Sequence, residues 1–334
     1  MEVLLGFLSK FFEMLQTPTL AFLILGMLVA AVKSELRIPD AVYQFTVFVL
    51  LMRIGLNAGM EMRNADISAI LLPALICVVI GIVVVLVGSA ILTRLPGVKP
   101  VDAIATTGLF GAVSSGTFIA GTLALEDAGI AFEGWVAALY PFMDTPALVT
   151  AIVLANLHLK KKSGTAQGVS ILAITKETFQ GMAVTTLFAG ILVGLLAQPS
   201  AVFEGFYDQL FIGFLSVLML TLGMDAYSSL RDLFKVAHWY ALYAAVAPLV
   251  HGLAGFGLGY IAHLLVGFSP GGVIMLAILA SSNSDVSGPP TLRSGIPSAN
   301  PSAYIGSSTG VGTPVAIGIG IPLFMYLGKV VFGI

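Results

Sequence analysis

The 334-residue chain is 58% hydrophobic and only 10% charged, with a formal net charge of −2 and a mean hydropathy of +1.02. That is too little polar surface to cover a water-soluble globule, so the chain needs lipid around it. The near-balanced charge, with no basic stripe carrying interleaved aromatics, gives no support to a nucleic-acid partner.

Taken in chain order, Leu4, Leu5, Leu8, Phe11, Phe12 and Leu15 recur at near-helical spacing beside Lys10 and Glu13. This predicts a helix over 1–16 lying in the membrane interface. Apolar runs between Pro, Gly and charged punctuation then predict ten membrane spans. They run approximately over 19–32, 41–61, 67–92, 101–125, 134–157, 178–197, 207–227, 236–266, 271–284 with a continuation, and 304–331. Cys77, the sole cysteine, falls in the third span, so no intramolecular disulfide can form and packing is its expected role.

Basic residues alternate sides. The loops after the odd-numbered spans hold Lys33, Arg37, Arg94, Lys99, Lys160, Lys161, Lys162, Lys176, Arg231, Lys235 and Arg293, against Lys10, Arg63 and Lys329 opposite. Arg53 lies within a span. The positive-inside rule makes the first set cytoplasmic and places both termini outside. The chain also repeats itself. Gly59-Met60-Glu61 is echoed by Gly223-Met224-Asp225, and Thr145-Pro146-Ala147-Leu148 by Thr313-Pro314-Val315-Ala316, at offsets of 164 and 168 residues. Five spans per half force the halves to run in opposite senses, the inverted-repeat architecture of secondary transporters. The expected organisation is an all-α integral membrane protein: an interfacial helix (1–16), a first five-helix repeat (17–157), a cytoplasmic linker (158–176) and a second repeat (177–334).

In such folds the substrate site lies near the midplane, where matching helices of the two halves are interrupted. The fourth span carries Gly111, Ala112, Val113, Ser114, Ser115, Gly116 and Thr117, which place glycines and hydroxyls in an otherwise apolar helix. The ninth carries Ser281, Ser282, Asn283, Ser284, Asp285, Val286 and Ser287 before Gly288-Pro289-Pro290, where the prolines predict a break. A broken helix exposes N–H groups on one side, suited to a small anion, and carbonyls on the other, suited to sodium.

The expected anion-binding set is therefore Gly111 to Thr117 with Ser282, Asn283 and Ser284. The expected sodium set is Ser114, Asp144, Ser281, Ser282, Asp285 and Ser287. Asp285 is the foremost candidate, because a carboxylate at depth is costly; sodium ligation, proton relay and a structural role are all open to it. Asp144 either ligates sodium or caps a helix starting near Thr145. The hydroxyls either ligate, or bond their own backbone or bridge packed helices. Glu61 and Asp225 fit structural roles near span ends. His238, His251 and His263 lack metal-ligand spacing, and neither a hydrolase triad nor a nucleotide fingerprint is present, so no enzyme activity is expected.

At these residues the sequence resembles the cyanobacterial sodium-dependent bicarbonate transporters, the SbtA family. The likeness covers nearly the whole chain. It is strongest over Val101-Asp102-Ala103-Ile104-Ala105-Thr106 and Gly108 to Ser114, over Ala138 to Asp144, and over Ser287 to Arg293 with Gly295 to Gly306. The resemblance implies bicarbonate uptake coupled to sodium, a plasma-membrane homotrimer, and a core domain moving against a gate domain in an elevator-like way. It further implies regulation by a trimeric PII-like protein that senses adenine nucleotides. The linker is shorter than the family's usual polar insert. Rival readings are a carrier of another small anion, a sodium/proton antiporter, a channel or a receptor.

Overall fold

A computed structural model describes residues 18–63, 67–163, 172, 176, 180–197, 199–233, 236, 238–285 and 288–334. The regular elements among them are helical. The first part of the chain forms α1 (Pro18–Ala31), α2 (Asp40–Met62), α3 (Ile67–Leu92), α4 (Pro100–Gly111) and α5 (Ser115–Asp127). A 3-10 turn at Gly134–Leu139 then leads into α6 (Tyr140–Ser163). The second part forms α7 (Met182–Leu196), a short helical stretch over 200–208, α8 (Phe211–Leu233), α9 (His238–Val266), α10 (Pro270–Ser281) and α11 (Gly288–Gly295). It ends in α12 (Pro301–Phe332), which contains two π-helical turns. The interfacial helix expected over 1–16 lies outside the described residues, as do linker positions 164–171 and 173–175.

Among the described residues, seven segments are long and apolar enough to cross a membrane: α2, α3, α4 with α5, the 3-10 turn with α6, α8, α9 and α12. The other apolar helices, α1, α7 and α10, have 14, 15 and 12 residues. At 1.5 Å per residue each spans only about 20 Å, short of the ~30 Å hydrocarbon core. The chain is thus an all-helical, multi-pass membrane protein.

Burial differs sharply between spans. The α4–α5 stretch is 94% buried within the protein, whereas α9 is only 28% buried. Leu71, Leu75, Val79 and Val83 on α3 are exposed, as are Leu242, Val246 and Val250 on α9. Bare carbon at these positions suits lipid, while the interrupted backbone of α4–α5 is sealed by protein, the setting in which non-helical backbone is tolerated at membrane depth.

Glycines set two close helix crossings. On α2, Gly55 and Gly59 face Gly190 and Gly194 of α7 with no room for a Cβ, because backbone atoms of the partner helix already fill that space. On α1, Gly26 meets Leu220 of α8 in the same way, and Gly223 of α8 meets Leu23 and Gly26. Without a hydrophobic drive between helices in lipid, such small-residue contact is what holds them together. Elsewhere, α3, α4 and α6 pack around Val85, Leu109, Ala147 and Leu148.

Two carboxylates pin helix starts to distant loops. Asp102 Oδ1, in the first turn of α4, accepts from Asn300 N at 2.8 Å. Glu133, before the 3-10 turn, accepts from Ser269 N and Ser269 Oγ, both at 2.7 Å, where Ser269 caps α10.

The break in the fourth span falls as expected, at 112–114 between α4 and α5. The break in the ninth comes earlier than the prolines suggest. α10 ends at Ser281, Ser282–Ser284 are non-helical, and Gly288, Pro289 and Pro290 open α11. Proline is tolerated in the first turn of a helix, where its missing N–H would have had no partner, so here it starts a helix rather than ending one.

Candidate functional site

The two interruptions meet. Ser114 N donates to Ser282 Oγ at 3.2 Å, and Ser284 N donates to Leu109 O at 2.8 Å. Gly111 to Thr117 and Ser281 to Ser284 are all buried. The anion-binding residues expected from sequence are therefore brought to one place; Ser287 lies outside the described residues.

The first break is held at both backbone groups of one residue, Val113. Asp144 Oδ1 accepts from Val113 N at 3.0 Å, and Tyr140 OH donates to Val113 O at 3.0 Å. Both clamps come from the start of α6. That helix begins at Tyr140, so Asp144 lies inside it rather than capping a helix near Thr145, and its carboxylate reaches across to the break instead. Ser114 then caps α5, its Oγ accepting from Thr117 N at 3.0 Å. The N–H groups of Ser115 and Gly116 follow, at positions with no acceptor within their own helix. Ser115 Oγ and Thr117 Oγ1 are buried without a hydrogen-bond partner.

The second break is held by α12. Ser308 Oγ and Thr313 Oγ1 lie 2.7 and 2.9 Å from Asn283 Oδ1, and Ser308 Oγ lies 3.1 Å from Ser284 O. Ser284 Oγ accepts from Gly288 N at 2.8 Å, fixing the start of α11. Ser308 and Gly312 belong to the first π-helical turn and Gly320 to the second. A Cβ on Gly312 would stand 2.8 Å from Asn283 Nδ2, and one on Gly320 2.8 Å from Ser281 Oγ. These π turns bring α12 close against the break, a frequent use of such turns at functional sites.

Asp285 sits at the N-terminus of α5. A Cβ on Gly116 would stand 3.3 Å from Asp285 Oδ2 and 2.6 Å from Leu222 Cδ1 of α8. Negative charge there meets the positive end of the helix, and Leu222 covers the same spot from the other set of helices. Among the described residues no three His, Cys, Asp or Glu side chains gather as a metal cluster. The hydroxyls of Ser115, Thr117 and Ser281 are buried without a hydrogen-bond partner; hydroxyl and carboxylate oxygens are hard donors, which suit sodium better than a transition metal. Asp144 stands at the other side of the break, engaged with Val113. Asp225 is exposed on α8 and plays no visible part.

Sequence reasoning missed Tyr140, Ser308 and Thr313 as supports. The hydroxyl-rich stretch Ser307-Ser308-Thr309 in an apolar span was the available signal. It also left Arg53 without a role. Arg53 binds Glu126 of α5 at 2.9 and 3.2 Å and Asp208 at 2.8 and 3.1 Å, and its guanidinium stacks 4.2 Å from the Phe211 ring. One cation thereby ties α2 to the end of α5.

Two helices interrupted at a protein-sealed crossing, inside a multi-pass helical chain, define a membrane transporter by class. More specifically, the chain belongs to the Na+-dependent bicarbonate transporter superfamily, whose sequence model matches residues 18–329. No curated protein sequence matches it significantly. Membership makes the chain a sodium-dependent transporter rather than an enzyme.

Proposed function

We propose that the chain imports bicarbonate in symport with sodium, by alternating access at the crossing of α4–α5 and α10–α11. The observation that carries this reading is the direct contact of the two breaks, Ser114 N to Ser282 Oγ and Ser284 N to Leu109 O. Bicarbonate would take the free N–H groups at the start of α5, with Ser115, Gly116, Thr117 and the amide of Asn283 around it. Sodium would sit among Ser114, Ser281, Ser282 and Asp285, offsetting the anion's charge. With no Lys or Arg in either break, binding of one ion favours binding of the other.

The architecture we propose is ten spans in two inverted repeats. The pairings support it. Gly59 and Gly223, the echoed glycines, make equivalent crossings with α7 and α1. The Asp102–Asn300 and Glu133–Ser269 ties likewise link a helix start in each half to a loop of the other. In this scheme α1, α2, α7 and α8 form the gate, and the remaining helices form the core that moves against it. Core and gate touch at Leu222 over Gly116 and at Arg53 with Glu126. Plasma-membrane location, outward-facing termini, a homotrimer and a PII-like cytoplasmic regulator complete the proposal, resting on the family and on the basic loops.

The test is labelled bicarbonate uptake into proteoliposomes, with and without an inward sodium gradient, for the wild type and Asp285→Ala. Uptake that requires sodium and disappears in a folded Asp285→Ala supports the assignment of substrate, ion and site. Uptake indifferent to sodium removes it.

A further inference from the structure

Leu222 of α8 covers the crossing from the other set of helices. A Cβ on Gly116 would stand 2.6 Å from Leu222 Cδ1 and 3.3 Å from Asp285 Oδ2, so all three meet at one spot. Leu222 is only 3% exposed, and the residues flanking Gly116, Ser115 and Thr117, have hydroxyls buried without a hydrogen-bond partner.

Asp225, which has no part in the crossing itself, follows less than one turn later, about 4.5 Å along the helix axis. Unlike Leu222 it is exposed. Among the described residues it forms no hydrogen bond or ion pair, so it has no structural partner to hold. α8 continues to Leu233, which puts Asp225 about 12 Å inside its end. An ionisable side chain at that depth faces water rather than lipid and commonly marks an ion path. Asp40 is exposed at the start of α2, and Tyr43, one turn on, is half-buried. The charge of Asp40 acts on Asp225, and the charges of Asp225 and Asp285 both act on the Tyr43 phenol. Arg231 lies nine residues past Leu222, on the opposite face of α8. Carboxylates thus run from an exposed helix start to the crossing, with Leu222 and Tyr43 between the inner one and the outer two.

We propose that Asp40 and Asp225 line the path by which sodium passes between Asp285 and the cytoplasm, with Leu222 and Tyr43 as its door. The inference rests on the crossing being the ion site and on Lys33 and Arg37, just before Asp40, marking the cytoplasmic side. Carboxylates along a narrow path concentrate cations and repel anions. Leu222 belongs to the gate and Gly116 to the core, so movement of one against the other uncovers the spot that Leu222 now fills.

Cys77 is the sole cysteine, so full-length Ser115→Cys/Cys77→Ala protein carries a single thiol at the covered spot. In inverted membrane vesicles its labelling rate is measured with two membrane-impermeant methanethiosulfonates, one bearing trimethylammonium and one bearing sulfonate. Adding Leu222→Ala should speed both reagents several-fold. Adding Asp225→Asn should lower the cation-to-anion rate ratio roughly three- to tenfold, the effect of one charge at close range in water. Asp40→Asn should act in the same direction but less. N-methylglucamine chloride at about 1 M should erase the difference made by Asp225→Asn, because salt screens exposed charge. Variants are compared at wild-type melting temperature in detergent; if Asp225→Asn does not fold, Asp40→Asn carries the charge test. An unchanged ratio in the charge variants, or labelling no faster in Leu222→Ala, would overturn the proposal. Labelling needs no transport, so a lack of sodium-dependent uptake would strike the proposed symport and leave this result to be read separately.

Discussion

Replacing Asp144 by Ala removes the acceptor that holds Val113 N in a fully buried site. A hydrogen bond to a charged group contributes about 1.5–3 kcal/mol, and an orphaned N–H costs a similar amount. If that energy holds the break in its working geometry, the fraction of correctly set molecules falls roughly 10- to 150-fold, at about 1.4 kcal/mol per decade. Asp144→Asn keeps a neutral oxygen in place and should lose about 1 kcal/mol. Tyr140→Phe, which frees Val113 O, should lose a similar amount. Because both residues hold the backbone of Val113, the Asp144→Asn/Tyr140→Phe double variant should depart from additivity. The assays are thermal melting in detergent and bicarbonate uptake over a range of sodium concentrations. The clamp predicts a lowered melting temperature and an uptake defect in Asp144→Ala that saturating sodium does not repair. Rescue by high sodium would instead make Asp144 a sodium ligand, and wild-type melting together with wild-type uptake would refute the clamp.

Ser115→Ala and Thr117→Ala should leave the melting temperature near wild type, since neither hydroxyl has a partner in the fold and replacing such a group costs little. Both should raise the KM for bicarbonate or sodium several-fold; unchanged transport kinetics would show that these hydroxyls bind nothing. Gly59→Ala pushes a methyl into backbone of α7 and should cost about 1–3 kcal/mol by overpacking, seen as a lower melting temperature and reduced yield. Arg53→Gln leaves Glu126 and Asp208 without their shared cation. It should slow uptake without changing the KM for bicarbonate, whereas a change in KM alone would place Arg53 on the substrate path.

Much of the transport core was legible because lipid imposes simple rules. Apolar runs located the seven helical segments long enough to cross a membrane, and glycines with hydroxyls in two of the predicted spans located the interruptions. The prolines misled by a few residues, because Pro289-Pro290 reads as a stop from sequence and serves as a start once a cap such as Ser284 is present. The clamps were harder. Asp144 and Tyr140 act on Val113 from about 30 positions away, and nothing local to either residue says which backbone it will meet. Arg53 stood out as a charge inside a span, but its partners come from two other elements. The length of α1, α7 and α10 is a further case: each looks like a span by composition, yet each helix alone is shorter than the hydrocarbon core.

The central claim is that sodium and bicarbonate cross together at one site, and reciprocity tests it most directly. In proteoliposomes with no sodium gradient, an inward bicarbonate gradient should drive uptake of labelled sodium against its own concentration, and Asp285→Ala should abolish it. Bicarbonate entry that leaves labelled sodium unmoved would contradict the account.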